Sequence, residues 1–267
     1  MSNALRESST MNQELRPLNT IRLNKAISDT GFCSRREADK CIEQGRVMVN
    51  ERLGNLGDRV SLEDVLMVDG KPLKRPEKTI YIAFNKPVGV TCTTEPQIEK
   101  NIIGFINHPQ RIFPIGRLDK ASEGLIFLTS DGNIVNKILR AGNQHEKEYL
   151  VTVNKPITPE FIFRMGNGIP VLDTVTDKCM VEKIGHKVFR IILTQGLNRQ
   201  IRRMCDYLDY EVVSLKRTRI MNIKLDRLAI GQWRNFTSAE LIEINDLIAS
   251  SSKTEEASFK LSSIKPK

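Results

Sequence analysis

The sequence has no long hydrophobic run; none of its apolar stretches approaches the roughly 18–20 residues that a membrane-spanning helix needs. Its opening, MSNALRESSTMNQELRP, contains no apolar core segment, so no secretory leader is expected. Histidine is scarce: His108, His145 and His186 are the three, and their spacing is not that of metal ligands. The five cysteines, Cys33, Cys41, Cys92, Cys179 and Cys205, are odd in number and form no CxxC pair. They read as buried, reduced thiols of a cytoplasmic protein, not as a disulfide framework or a zinc site. A Gly-x-Gly-x-x-Gly loop and a P-loop are both missing, which argues against dinucleotide- or nucleotide-dependent chemistry. No repeat recurs at solenoid periods.

What is present is the material of a folded protein. The 267 residues are 40% hydrophobic and 27% charged, enough to bury a sizeable core without metals or disulfides. Lys and Arg number 41 against 32 Asp and Glu, a net charge of +9. That excess favours an anionic partner, nucleic acid first and an acidic membrane surface second, although basic charge alone is a weak signal. Residues 1–18 and 251–267 are polar and aperiodic and are expected to be disordered tails. Between them lie a first block (19–70), a linker, KPLKRPEK (71–78), and a second block (79–250).

In the first block Leu23, Ala26 and Ile27 fall at helical spacing and Gly31 can end that helix. Ser34 precedes Glu37 by three residues, a capping-box pattern, and Ala38, Cys41 and Ile42 form the stripe of a second helix stopped by Gly45. Val47 and Val49 alternate as on a strand; Leu62, Val65, Met67 and Val68 suggest another. Arg22, Lys25, Arg35, Arg36, Lys40 and Arg46 crowd the helix pair, while the acids lie mostly behind it. On charge alone, a solvated helix pair with no partner is as good a reading as an RNA-binding face. The run from Leu23 to Asn50, with its SRREAD helix start and GRVMVN step, resembles an S4 RNA-binding domain. The resemblance implies phosphate contacts from Arg22, Lys25, Arg35, Arg36 and Lys40, which position an RNA without reading its sequence.

The second block offers strands at TIYIAF (79–84), GLIFLT (124–129), EYLVTV (148–153), VFRIILT (188–194) and VVSLKRTRIMNI (212–223). Helices are expected at NIVNKILRA, closed by Gly142, at RQIRRMCDYL, and from Thr237 with Glu240 as its capping partner. The irregular interleaving and the polar–apolar alternation favour an α+β fold with a mixed sheet over a doubly wound parallel one. Four features could carry chemistry: NKPVG (85–89), GRLDK (116–120) followed by SEGL, EKEY (146–149), and QGLNRQIRRM (195–204). Singly, each has a plain structural reading: a turn, a turn-capping Asp, a packed Tyr. The last is less easily dismissed, because three arginines within one and a half helical turns repel one another unless they meet carboxylates or phosphates.

Together and in this order, N-K-P-x-G, G-R-L-D-x-x-S-x-G-L, K-x-Y and G-x-N-R-Q-I-R-R-M resemble the motifs of the RNA pseudouridine synthases, in the ribosomal branch that carries an N-terminal S4 domain. The resemblance runs from Ile21 to about Ile248. It implies a small N-terminal S4 (αL-type) domain plus a catalytic domain built on a mixed, largely antiparallel sheet flanked by helices. It implies isomerisation of a uridine in structured RNA, large-subunit ribosomal RNA first, with tRNA or small-subunit RNA as alternatives. The enzyme would act as a cytoplasmic monomer with no membrane and no obligate protein partner. No cofactor or metal is expected, since the reaction adds and removes no atoms. By the same resemblance Asp119 is the acting carboxylate, Tyr149 stacks on the uracil, and Arg202 pairs with Asp119 and holds it ionised. Arg117, Leu118, Lys120, Arg199, Gln200 and Ile201 would contact the flipped nucleotide or back the Tyr149 ring, while Lys86 and Pro87 would support the site. A non-catalytic S4 assembly factor would not need these four motifs. An S4-bearing methyltransferase or tRNA ligase would need a cofactor loop that is missing.

Overall fold

A computed structural model of the chain describes residues 20–139 and 144–249. The two expected tails and the Gly142 helix stop lie outside these residues. The chain divides into two compact units, Met1–Glu77 and Lys78–Lys267.

The first unit begins with a short strand, β1 (Ile21–Arg22), and a helix pair, α1 (Leu23–Asp29) and α2 (Arg35–Glu43). Ser34 caps α2 as its sequence suggests: its side chain accepts from the Glu37 amide, and Glu37 reaches back to the Ser34 amide. Strands β2 (Val47–Val49), β3 (Arg52–Leu53), β4 (Arg59–Val60), β5 (Leu66–Val68) and β6 (Lys71–Pro72) follow. Four of them form a sheet in the order β3-β2-β5-β6, and β1 pairs with β4. The apolar stripes of both helices, Leu23, Ala26, Ile27, Ala38, Cys41 and Ile42, close one core with Val47, Val49, Leu66 and Val68.

Two expectations need correction here. Leu62 and Val65 do not belong to a strand; both are exposed, in the turn that precedes β5. The linker is also shorter than 71–78, because Lys71 and Pro72 pair with β5 and Leu73 packs on this core. Leu73 is the apolar residue that pins that segment down.

The second unit is built on a nine-stranded sheet. Its elements are β7 (Tyr81–Lys86), α3 (Ile102–Ile106), β8 (Phe113–Ile115), β9 (Glu123–Thr129), α4 (Gly132–Leu139), β10 (Lys147–Val153), α5 (Pro159–Gly166), β11 (Pro170–Val171), β12 (Thr174–Val175), β13 (Met180–Gly185), β14 (Val188–Leu193), α6 (Gln200–Tyr207), β15 (Val212–Ile220), β16 (Ile223–Lys224), β17 (Trp233–Asn235) and α7 (Ser238–Ala249). The sheet order is β13-β14-β10-β15-β9-β7-β17, with β8 on β9 and β16 on β15. Every pairing is antiparallel except β15 with β9, where Lys216 and Arg217 face Glu123 and Gly124. The sheet is therefore two antiparallel halves joined along one parallel seam.

Apolar side chains cover both faces of the sheet at β7 and β9. On β7 and β9, Ile82, Phe84, Ile126 and Leu128 enter one core, while Ala83, Leu125 and Phe127 enter another on the opposite side. A strand buried on both faces reads as a continuous apolar run, as these two do. The run from Val212 to Ile223 is not a single strand: it turns at Met221, where φ is 52°, and folds back as β16. Thr237 and Glu240 form the capping box expected at the start of α7.

Candidate active site

Asp119 lies in the loop between β8 and β9, at the end of the parallel seam. Its backbone is fixed from several sides. The Asp119 carbonyl accepts from the Ser122 amide at 3.0 Å. On the near side Leu118 is buried in the core, and its amide donates to the Cys92 sulfur at 3.4 Å. On the far side the Lys120 carbonyl accepts from the Gly89 amide at 2.8 Å. Gly89 closes the NKPVG turn, and that turn is knotted by Lys86, whose ammonium is fully buried and donates to the Pro87 and Val90 carbonyls at 2.9 Å each. Burial holds the Lys86 pKa below the usual lysine value. Lys86 and Pro87 thus sit in the turn whose Gly89 amide bonds the Asp119 loop at Lys120.

The Asp119 carboxylate itself is half-buried and faces two arginines. Arg199 Nη1 and Arg202 Nε each stand 3.9 Å from Oδ2. This is a close charge approach, not a hydrogen-bonded clamp. Arg202 spends its hydrogen bonds elsewhere: Nη2 donates to the Ala121 carbonyl at 3.0 Å and to Ser122 Oγ at 3.2 Å, and Nη1 to the Val212 carbonyl at 3.3 Å. Its Nε is buried without a partner. Arg202 thus staples the loop that carries Asp119 to the start of β15, and aims its remaining N–H toward the carboxylate side. Helix α6 starts at Gln200, one residue later than the expected start at Arg199, because Arg199 takes a left-handed conformation, φ 50° and ψ 34°, as its N-cap. A non-glycine residue held there is strained by roughly 1–3 kcal/mol, and the strain directs the exposed Arg199 side chain at Asp119.

Tyr149 stands on β10 and packs its ring against the core that contains Ile201. Asp119, Tyr149, Arg117, Leu118 and Arg199 line a common cleft of about 580 Å³, and Lys120 lies on its exposed rim. A smaller adjoining recess of about 90 Å³ brings in Ser122, Gln200, Ile201 and Arg202. Gln200 departs from its expected role. It is buried, accepts from the Leu197 amide at 3.0 Å and donates to Gln195 at 3.0 Å, so its side chain holds the 195–200 loop and is not offered to an RNA.

Two cations in the cleft were assigned nothing from sequence. Arg217 on β15 sits directly across from Tyr149 in register, with its guanidinium carbon 5.9 Å from the ring centroid. Arg217 Nε donates to the Leu125 carbonyl at 2.6 Å, bridging the seam, while Nη2 is buried without a partner. Lys147 shares the Tyr149 face of β10 and donates to the His145 and Thr194 carbonyls. Burial, and next the Arg217 charge, push the Lys147 pKa down to about 8. The K-x-Y spacing could have found Lys147, since residues two apart share a strand face. No local pattern announces Arg217, which meets Tyr149 only through tertiary pairing.

In the first unit Arg22, Arg35, Arg36 and Lys40 are exposed, whereas Lys25 is half-buried and paired with Asp29 one turn on. Lys25 is therefore less available to a phosphate than its sequence position suggests. None of the five cysteines is in a disulfide; Cys41, Cys92 and Cys205 are buried and Cys33 and Cys179 only partly so. Among the described residues no cluster of three or more His, Cys, Asp or Glu could hold a metal ion, and no helix is long and apolar enough to cross a membrane.

Comparison with known proteins agrees with this division. Residues 80–207 match the RNA pseudouridylate synthase family and residues 21–66 the S4 domain family. The dual-specificity RNA pseudouridine synthase RluF of Escherichia coli K12 is 57% identical over 238 residues, 88% of this chain and 82% of its own. The ribosomal large subunit pseudouridine synthase B of Bacillus subtilis is 32% identical over 235 residues, 85% of this chain and 96% of its own. A crystal structure of a pseudouridylate synthase superposes with a TM-score of 0.61 at 28% identity, covering 85% of this chain and 99% of that one.

Proposed function

The chain belongs to the S4-bearing RNA pseudouridine synthases, and on that premise we propose that it isomerises a uridine of structured large-subunit ribosomal RNA, with Asp119 as the acting carboxylate. The chain is an enzyme that converts uridine to pseudouridine in RNA. The observation that carries the assignment of roles is the meeting of Asp119, Tyr149, Arg199 and Arg202 around one recess, on three separate segments of the chain.

The chemistry follows from that meeting. A uridine in a helix must leave its stack to be reached, at a cost of a few kcal/mol. The Tyr149 ring, backed by Ile201, offers a surface for the flipped base. Heterolysis of the N1–C1′ bond leaves its electron pair on N1, and the step needs an anionic oxygen at the nucleoside, which Asp119 supplies. The base then turns, C5 bonds to C1′ as any bond between C1′ and the carboxylate breaks, C5 loses its proton to solvent with Tyr149 alongside, and N1 takes one up, so the product is an isomer of the substrate. Arg199 and Arg202 each bring a positive charge to 3.9 Å from the Asp119 carboxylate. Exposed Arg117 and Lys120 flank the loop as phosphate contacts, and Arg22, Arg35, Arg36 and Lys40 extend that role over the first unit.

Arg202→Lys separates its role in the site from simple phosphate binding. A lysine keeps the charge but cannot span Ala121, Ser122 and Val212 while keeping an N–H toward Asp119. Turnover at saturating RNA is expected to fall about tenfold or more, roughly 1.4 kcal/mol of barrier, with little change in KM. A rise in KM with normal saturated turnover would reduce Arg202 to a phosphate contact.

The substrate assignment is tested by mapping pseudouridine with carbodiimide chemistry across ribosomal RNA and tRNA from cells with and without the protein. The expected result is the loss of one or more large-subunit sites in its absence. Loss confined to tRNA or to small-subunit RNA would overturn the ribosomal large-subunit reading and keep the reaction.

A further inference from the structure

The floor of the cleft carries two buried cations that the reaction as written does not use. Arg217 is 5% and Lys147 7% exposed, and each lowers the comfort of the other by like charge. The carboxylates nearest to Lys147 in sequence do not serve it. Glu146 and Glu148 are both taken by Arg219, at 2.9 and 3.5 Å, because they point to the other side of the strand. Among the described residues neither Lys147 nor Arg217 has a carboxylate within ion-pair distance; their hydrogen bonds go to backbone carbonyls, with the Tyr149 ring beside Arg217. A third buried cation, Lys86, feels the Arg217 charge as well. Burying a charge with carbonyl partners alone costs several kcal/mol, and two side by side cost more. Such an arrangement persists where something else compensates it.

We propose that Lys147 and Arg217 form an anion-binding floor that receives a backbone phosphate of the RNA strand threaded through the cleft beside the flipped uridine. This rests on the RNA-modifying reading of the same cleft and deepens it. The argument for phosphate is one of charge. Uracil presents neutral carbonyl oxygens, which compensate a buried cation only in part, whereas each phosphate brings a full negative charge. Arg217 stands opposite Tyr149 across β10 and β15, and Lys147 lies two residues before Tyr149 on β10, so both cations border the Tyr149 ring in the same cleft. A phosphate bound there would tie the strand down next to the stacking surface and fix the depth to which the nucleotide enters.

The test compares the full-length protein with Lys147→Met and Lys147→Arg, using deproteinised ribosomal RNA as the probe. Three things are measured: thermal midpoint without RNA, RNA affinity across a salt series, and KM against kcat. Loss of a phosphate contact should make the log–log salt slope of Lys147→Met shallower by roughly 0.7–0.9. KM should rise several-fold more than kcat falls, Lys147→Arg should restore the slope, and the RNA-free midpoint of Lys147→Met should not drop, since an uncompensated buried charge has been removed. An unchanged slope with reduced kcat would overturn the proposal and place the pair on the base instead. A lowered midpoint that tracks the activity loss would overturn it in favour of internal support, and Lys147→Gln, which keeps a donor, gives the same readings if the methionine variant does not fold. The salt slope is read without turnover, so a protein that makes no pseudouridine and one that lacks this floor give different results.

Discussion

Asp119→Asn is expected to lose pseudouridine formation by at least roughly 10³-fold, about 4 kcal/mol of barrier, while keeping its fold and its hold on RNA. The substitution is isosteric and removes only the charge and the nucleophilic oxygen. The loop does not depend on that carboxylate. Its positions are fixed through backbone groups of Leu118, Asp119, Lys120 and Ala121, which bond to Cys92, Ser122, Gly89 and Arg202. The carboxylate makes two charge approaches at 3.9 Å, one from the exposed Arg199 and one from the largely buried Arg202, neither of them a hydrogen bond. RNA affinity should hold or rise, since a negative charge leaves a basic cleft. Pseudouridine is read by carbodiimide-dependent reverse-transcription stops on ribosomal RNA, and stability by thermal unfolding. Wild-type-like turnover would remove Asp119 from the chemistry altogether.

The second large effect is on the fold. Gly124 lies at φ +107° on β9, and a Cβ there would stand 2.3 Å from the Arg217 carbonyl oxygen and 2.7 Å from its amide nitrogen. Both obstacles are backbone, so no side-chain rotation relieves them. Gly124→Ala combines a disfavoured conformation with forced separation of the parallel seam, and is expected to cost roughly 3–5 kcal/mol. For a unit of this size the thermal midpoint should fall by about 10 °C. Gly196→Ala is the matched control: its Cβ would meet nothing within 4 Å, so the midpoint should move by no more than a degree or two. A Gly124→Ala protein with a wild-type midpoint would mean that the two halves can separate at the seam without loss.

What the sequence made legible was what local pattern encodes. The α2 and α7 caps are each written within four residues, and β7 and β9 announce themselves as apolar runs because both faces are buried. Four ordered motifs located Asp119, Tyr149 and Arg202, which the fold does bring to one cleft and its adjoining recess. Short strands such as β11, β12 and β17, two or three residues each, carry too little pattern to be read. Leu62 and Val65 misled because hydrophobicity alone does not say which side is covered. Arg199 was read as an RNA contact and also turns out to face Asp119, for a reason of backbone: its left-handed φ shortens the helix and turns the side chain. Gln200 and Arg217 were opaque because their partners are fixed only when distant or non-periodic segments meet.

The parallel seam also has a meaning in time. Arg217 bridges to the Leu125 carbonyl across 92 residues of chain, and the pairing of β15 with β9 is the step that sets Tyr149 and its strand beside the Asp119 loop. Pairings such as β8–β9 or β13–β14 close over shorter separations and can form early, whereas pairing over so long a loop is slow and comes after its entropy cost has been met. During synthesis the Asp119 loop emerges well before β15 exists to dock against it. A nascent or half-folded chain can therefore expose its basic surfaces to RNA while being chemically silent. Catalytic competence arrives only once this seam has closed.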